Sequence, residues 1–405
     1  MSATYTDPPA ATTDRGFEEI ESPMAHLNAE QLDELGRELD AIHTEVFADL
    51  GERDSRYIRS TIRLHRHLVL AARALLLGSR RRPLWFAGTA ALSLAKILEN
   101  MEIGHNVMHG QWDWMNDPDI NSQAWDWDTA SPADSWRHSH NYEHHTFTNI
   151  RGLDRDLGYE IMRIDPHQPW RPVYLGQPLY NLLLMGFFEW GVALHDLNWD
   201  AIGTGEKTKA QVISELKGVG VKARKQVIKD YIAFPALSAA ASALASAASG
   251  RRGSRAERSS FKATLTANFT ANIVRNVWAH SIIFCGHFPD QTYTFSKAEA
   301  TEETPGARYV RQLVGSANID GSPLFHLLAG NLSFQVEHHL YPDMPSSRYS
   351  EIAPRVRDIC HRYGLPYNTG PLSKQLGTVH RTILRLAFPG GKPRRKPGPY
   401  RPDPA

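Results

Sequence analysis

Apolar residues recur along this chain in two ways, as one-sided stripes and as near-continuous runs. From Leu27 to about Glu52 the pattern is a stripe: Leu32, Leu35, Leu39 and Ile42 fall at helical spacing and predict an amphipathic helix. Further on come runs. His67–Gly78 is short, Pro83–Leu98 holds a single lysine, and Gly176–Leu194 holds only Glu189. Tyr231–Gly250 carries no charge over 20 residues, and Ala263–Pro289 is apolar apart from Arg275 and two histidines. A bilayer-spanning helix needs about 20 apolar residues, a test only Tyr231–Gly250 meets cleanly. Paired runs joined by short basic turns, Ser79–Arg82 and Arg251–Arg258, predict two hairpins dipping into a bilayer. Those turns would then face away from the cytosol, against the usual bias of basic residues. The competing reading, core helices of a soluble protein, is consistent with a mean hydropathy below zero. Residues 1–25, polar and Pro/Thr-rich, are expected to be disordered, and residues 389–405 to form a basic, Pro-rich tail.

Composition removes several classes of function. Lys plus Arg number 45 against 44 Asp plus Glu, so no global field favours nucleic acid. Two cysteines, Cys285 and Cys360, can build neither a disulfide framework nor a thiolate metal site, and they suit a reducing cytosol. Gly203–Thr208 looks faintly like a phosphate loop but lacks the Gly-Lys-Ser/Thr ending, and reads as a linker. What stands out is 19 histidines and 10 tryptophans.

The histidines cluster. His105 and His109, four apart, share a helix face and can point at one ion. In His140-Asn141-Tyr142-Glu143-His144-His145, His140 and His144 share a face and His145 lies about 100° further round, within reach of a second ion. Three such imidazoles repel one another when protonated and waste polar groups when buried, so a merely structural role is costly. In Gln335-Val336-Glu337-His338-His339, positions 335, 338 and 339 line one face, and a Glu-His-His triplet recurs. A fourth contribution is expected near Pro289, with His287 the preferred ligand, His280 its competitor and Asn276 one turn further back. Imidazole suits zinc, copper, iron and nickel alike, but seven to nine such ligands exceed what one tetrahedral zinc takes, so two ions are the economical reading.

These clusters, in this order around apolar segments, resemble the membrane fatty acid desaturase family, whose boxes read HxxxH, HxxxHH and H/QxxHH. His105/His109, His140/His144/His145 and Gln335/His338/His339 match them. Flanking residues Glu99–Asp117, Asn276-Val277-Trp278 and Ile283–Asp290 look like those of actinobacterial acyl-CoA desaturases, and the similarity runs from about Leu27 to Arg385. The resemblance implies an all-α integral membrane protein, with about four transmembrane helices and a cytosolic helical cap, over residues 26–388. It implies two irons held by His105, His109, His140, His144, His145, His287, His338 and His339. Gln335 stands where other branches use histidine. Asn141, Asn149, Asp154 and Asp156 are candidates to hold the ligand rings by hydrogen bonds.

The implied reaction inserts a cis double bond into a long acyl chain, carried on CoA or a lipid, using O2 and two electrons. The sequence shows no dinucleotide fingerprint, iron–sulfur cysteine set or haem segment, so the electrons would come from NAD(P)H through a separate reductase, with or without ferredoxin. The implied location is the inner membrane, multi-pass, with the site facing the cytoplasm. Trp112, Trp114, Trp125, Trp127 and Trp136 are assigned to packing, with a substrate path or electron entry as the other role. Alternatives are a hydroxylase of the same family, a non-redox zinc or copper membrane protein, and a soluble metal-dependent hydrolase.

Overall fold

The computed structural model describes residues 22–250, 254–301, 303–390 and 396. Most of both expected tails lies outside the described residues; residues 23–26 form a turn, where His26 Nε2 lies 2.8 Å from the Tyr363 carbonyl. The chain is mostly helical. Helix α1 (Ala29–Ala48) is started by a reciprocal cap in which Gln31 N–H donates to Asn28 Oδ1 (2.9 Å) and Asn28 N–H to Gln31 Oε1 (3.0 Å). Of its predicted stripe Leu35, Leu39 and Ile42 are buried and Leu32 half-buried, and Val46 extends the buried face.

Four long segments build the first layer: α2 (Glu52–Leu77), α3 (Arg82–Leu98), α4 (Gln177–Gly186) and α5 (Phe188–His195). The run 176–194, expected as one segment, is thus two helices broken at Phe187, whose backbone leaves the helical region (φ −121°, ψ 35°). Next come α6 (Lys209–Gln226) and α7 (Phe234–Ala248), joined through a π-helical turn, Val227–Ala233. The uncharged run is therefore the second half of a longer helical stretch, Lys209–Ala248. Among the described residues this is the one helix long and apolar enough to cross a membrane by length and composition. The longest helix, α8 (Ser254–His287), packs on α3 and α7.

A second layer lies above the ends of these helices. Here α1 packs on α9 (Pro305–Gly315), α9 on α10 (Gln335–Leu340) and α10 on α11 (Tyr349–Arg362), whereas α12 (Leu372–Leu386) packs back on α8 and α4. Val310, Leu313, Val336, Ile352 and Val356 join the α1 stripe in one core, each contributing about 1.5–3 kcal/mol on burial. Two short parallel strands, β1 (Asn318–Asp320) and β2 (Thr369–Pro371), pair Asn318 with Thr369. Asn318 also fixes α10: its Oδ1 accepts from Val336 N–H (2.9 Å) and its Nδ2 donates to Glu337 Oε2 (2.8 Å).

Candidate metal centre

The first two histidine boxes sit on widened turns rather than on regular α-helix. Glu99–His105 and Arg137–His144 are π-helical. Such turns are rare and concentrate at functional sites. The expected face-sharing of residues four apart holds on these wider turns: His105 and His109 have ring centroids 4.6 Å apart and belong to one ligand group. His140 and His144 lie nearly parallel, with centroids 5.1 Å apart and 22° between planes, whereas His145 stands at 85° to His140. The third box, on α10, approaches α8 where Gly286 leaves room. A Cβ there would come within 2.7 Å of Gln335 Cγ.

The boxes converge. Potential ligand atoms of His105, His109, His140 and His338 lie within 4.8 Å of one another, and so do those of His144, His287 and His339. His145 lies between the groups: its ring stacks on His339 at 4.6 Å and meets His109 edge-on at 4.7 Å. All eight are close-packed, and seven of them, all but His109, are buried. His280 is not among them. It lies 3.0 Å from Asn181 Oδ1 and stacks on Phe284 at 3.7 Å, so of the two candidates on α8 only His287 reaches the cluster. Asn276 is also remote, its Nδ2 donating to the Gly186 carbonyl. Gln335 Nε2 lies 3.1 Å from His287 Nε2, at the edge of the smaller group.

The ring nitrogens divide into two sets. Nδ1 atoms face outward to fixed partners: His144 to Asp154 (3.0 Å), His338 to the Tyr349 hydroxyl (3.2 Å), His339 to Gln312 Oε1 (3.1 Å), and His140 more loosely to Asp156 (3.5 Å). Nε2 atoms of His109, His140, His144, His145 and His339 are buried without a hydrogen-bond partner. Those of His105 and His338 face each other at 3.4 Å. Inward nitrogens that no hydrogen bond satisfies, on rings held from behind, are what metal ligation requires. The donor set therefore fits metal.

Electrostatics agree. Burial first, then repulsion among neighbouring rings, holds His105, His109, His145, His338 and His339 well below the usual imidazole range. Neutral imidazole is the ligating form. His144 moves the other way: burial opposes its charge, but Asp154 beside it wins and raises it.

Asn149, with φ +58°, closes the loop beneath. Its N–H donates to Asp154 Oδ2 (2.7 Å) and its side chain to the Gly315 (2.6 Å) and Tyr293 (2.8 Å) carbonyls. Asn141 Nδ2 ties the second box to the first through the Met108 carbonyl (2.8 Å). The sequence reading missed His195, whose Nε2 lies 3.0 Å from Asp156 Oδ1, and also Tyr349 and Gln312. Nothing in their local sequence marks them.

Beside the cluster runs an apolar cavity, lined by His105, His140 and His287 at one end and by Met101, Tyr159, Phe188, Ile283 and Ala279 along its walls. Trp127 and Trp136 also line it, and Trp136 stacks on His140 at 4.5 Å. Trp112 is instead fully buried in packing.

Clustered imidazoles with inward nitrogens form a candidate metal centre beside an apolar cavity, and comparison with known proteins gives its class. Residues 83–371 match the family described as fatty acid desaturase. The chain is 46% identical over 366 residues to the NADPH-dependent stearoyl-CoA 9-desaturase of two Mycobacterium tuberculosis strains, spanning 90% of this chain and 82% of that protein. A human protein named fatty acid desaturase 3 is 38% identical over 74 residues, 18% of this chain and 17% of its own. The chain belongs to the fatty acid desaturase family. It is a fatty acyl desaturase.

Proposed function

We propose that this desaturase introduces a cis double bond into a long-chain acyl-CoA, using two irons, O2 and two electrons that reach it from NAD(P)H through a separate protein. The carrying observation is the convergence of eight imidazoles beside an apolar cavity, five of them with a buried Nε2 that no hydrogen bond satisfies. The stearoyl-CoA and NADPH in the mycobacterial relative's name support the substrate and electron source. The reaction balances when two vicinal C–H bonds and two external electrons reduce O2, with two protons, to two waters.

His105, His109, His140 and His338 would hold one iron, and His144, His287 and His339 the other, with His145 between them. Bound iron would supply activation of O2. The chain's own residues do the rest. Asp154, Tyr349 and Gln312 fix ring orientation and keep the ligating nitrogen unprotonated. The cavity walls exclude water and hold one C–C bond beside the rings, because an acyl chain has no polar handle to select position.

We read the protein as a multi-pass inner-membrane protein of about four spans, with the catalytic layer in the cytoplasm and residues 26–388 as one unit. Support comes from apolar side chains left exposed on the first layer: Leu70, Phe86, Leu182 and Leu244 are 69%, 64%, 60% and 73% exposed. Expression in a host lacking its own desaturase, with fatty-acid profiling and metal analysis, tests the reading. New cis-unsaturated chains and about two irons per chain are expected. Hydroxylated chains, or active protein containing only zinc, would overturn it.

A further inference from the structure

Cavity-lining positions on α8 fall at a fixed interval: His287, Ile283 and Ala279, each one turn below the last. The next position of that stripe is Arg275, about 18 Å along the axis from His287. It is fully buried, and Glu189, itself a cavity-lining residue on α5, pairs with it. Gln226 Nε2 donates to the other Glu189 oxygen (2.8 Å), Arg275 Nη1 reaches the Asp128 carbonyl (3.3 Å), and Arg275 Nε donates to Asn276 Oδ1 (3.1 Å). The apolar runs that predict spanning segments hold few charges, and two of them, Glu189 and Arg275, meet here. Ionisable groups at that depth are costly and tend to mark function.

We propose that the Glu189–Arg275 pair, braced by Gln226, is the floor of the acyl cavity and sets the longest chain the enzyme accepts beyond the reacting bond. The charged CoA end must stay at the aqueous side, so the methyl end advances down the α8 stripe and meets this pair. A methyl group offers no hydrogen bond in exchange. A longer chain would have to split the buried ion pair or pull it from its braces, which is strongly unfavourable. An apolar floor would yield by repacking; an ion pair braced by Gln226 and the Asp128 carbonyl does not.

This inference rests on the desaturase reading, and the test separates the two. Binding of saturated acyl-CoAs of increasing length to the wild-type protein is followed by tryptophan fluorescence, which needs no turnover. Affinity is expected to tighten about fourfold per added methylene and then to stop abruptly. In the paired variant Glu189→Ala with Arg275→Leu, which leaves no lone charge, the break is expected to move to longer chains. In Ala279→Leu, which fills the turn above the floor, it is expected to move to shorter ones. Product analysis should show the same shifts in the chain lengths converted. A wild-type series without a break overturns the proposal, and so does a break that stays in place in a paired variant retaining its metal. Should that variant fail to fold, the wild-type series and Ala279→Leu decide. If chains bind with the expected break but wild-type protein unsaturates none of them, the desaturase reading fails and the floor stands.

Discussion

The two imidazole groups are built differently. The group of His105, His109, His140 and His338 has four rings, and its closest outward support is neutral, the Tyr349 hydroxyl on His338. The group of His144, His287 and His339 has three rings, but Asp154 accepts from His144 at 3.0 Å and Gln335 stands at its edge. Each group has a carboxylate behind a ring, but Asp154 lies 3.0 Å from His144 where Asp156 lies 3.5 Å from His140, so the three-ring group has the closer charged support. On the two-iron reading proposed above, the ions would differ in electron affinity.

The largest effect that would break this comparison is loss of a ring from either group. His338→Ala and His144→Ala should each abolish activity and lower the metal content, read by metal analysis of detergent-purified protein; full activity in either would remove the centre as assigned. Next is Asp154→Asn, which keeps the shape and removes the charge: metal affinity or activity should fall about 10–100-fold. Its effect should exceed that of Tyr349→Phe, which removes a hydroxyl whose partners, His338, Gln111 and the Tyr341 carbonyl, are all uncharged, and which should cost about two- to tenfold through His338. Equal losses in the two would erase the distinction between the groups. Smallest is Gln335→Ala. If Gln335 only neighbours His287, metal stoichiometry stays the same and activity falls about threefold or less. A one-metal protein would make Gln335 a ligand.

How much of this is legible in sequence differs by element. The α1 stripe is legible because burial on one side leaves a 3.6-residue trace. The histidine boxes are visible because imidazole clusters have few other uses. Their π-helical backbone is not, since a widened turn is set by tertiary strain and has no composition of its own. The choice between His280 and His287 cannot be made from spacing, because both lie on α8; it is decided by Asn181, a helix away. The lone lysine of the run 83–98 reads as an interruption. Lys96 is in fact 2.9 Å from Asp230, a residue 134 positions on, and such a partner leaves no local signal. For the same reason His195 and Tyr349 escape a sequence reading.

The pairing of β1 with β2 bears on how the protein is made. The segment bearing His338 and His339 is steadied through Asn318, and the strand beside Asn318 comes from Thr369–Pro371. A ribosome delivers those residues after every histidine of the cluster, so β1 gains its partner strand only once all the rings have been made. A polypeptide truncated just before residue 369 would carry every ring, and the Tyr349 and Gln312 partners of the last two, but not the strand that pairs with β1 beside Asn318.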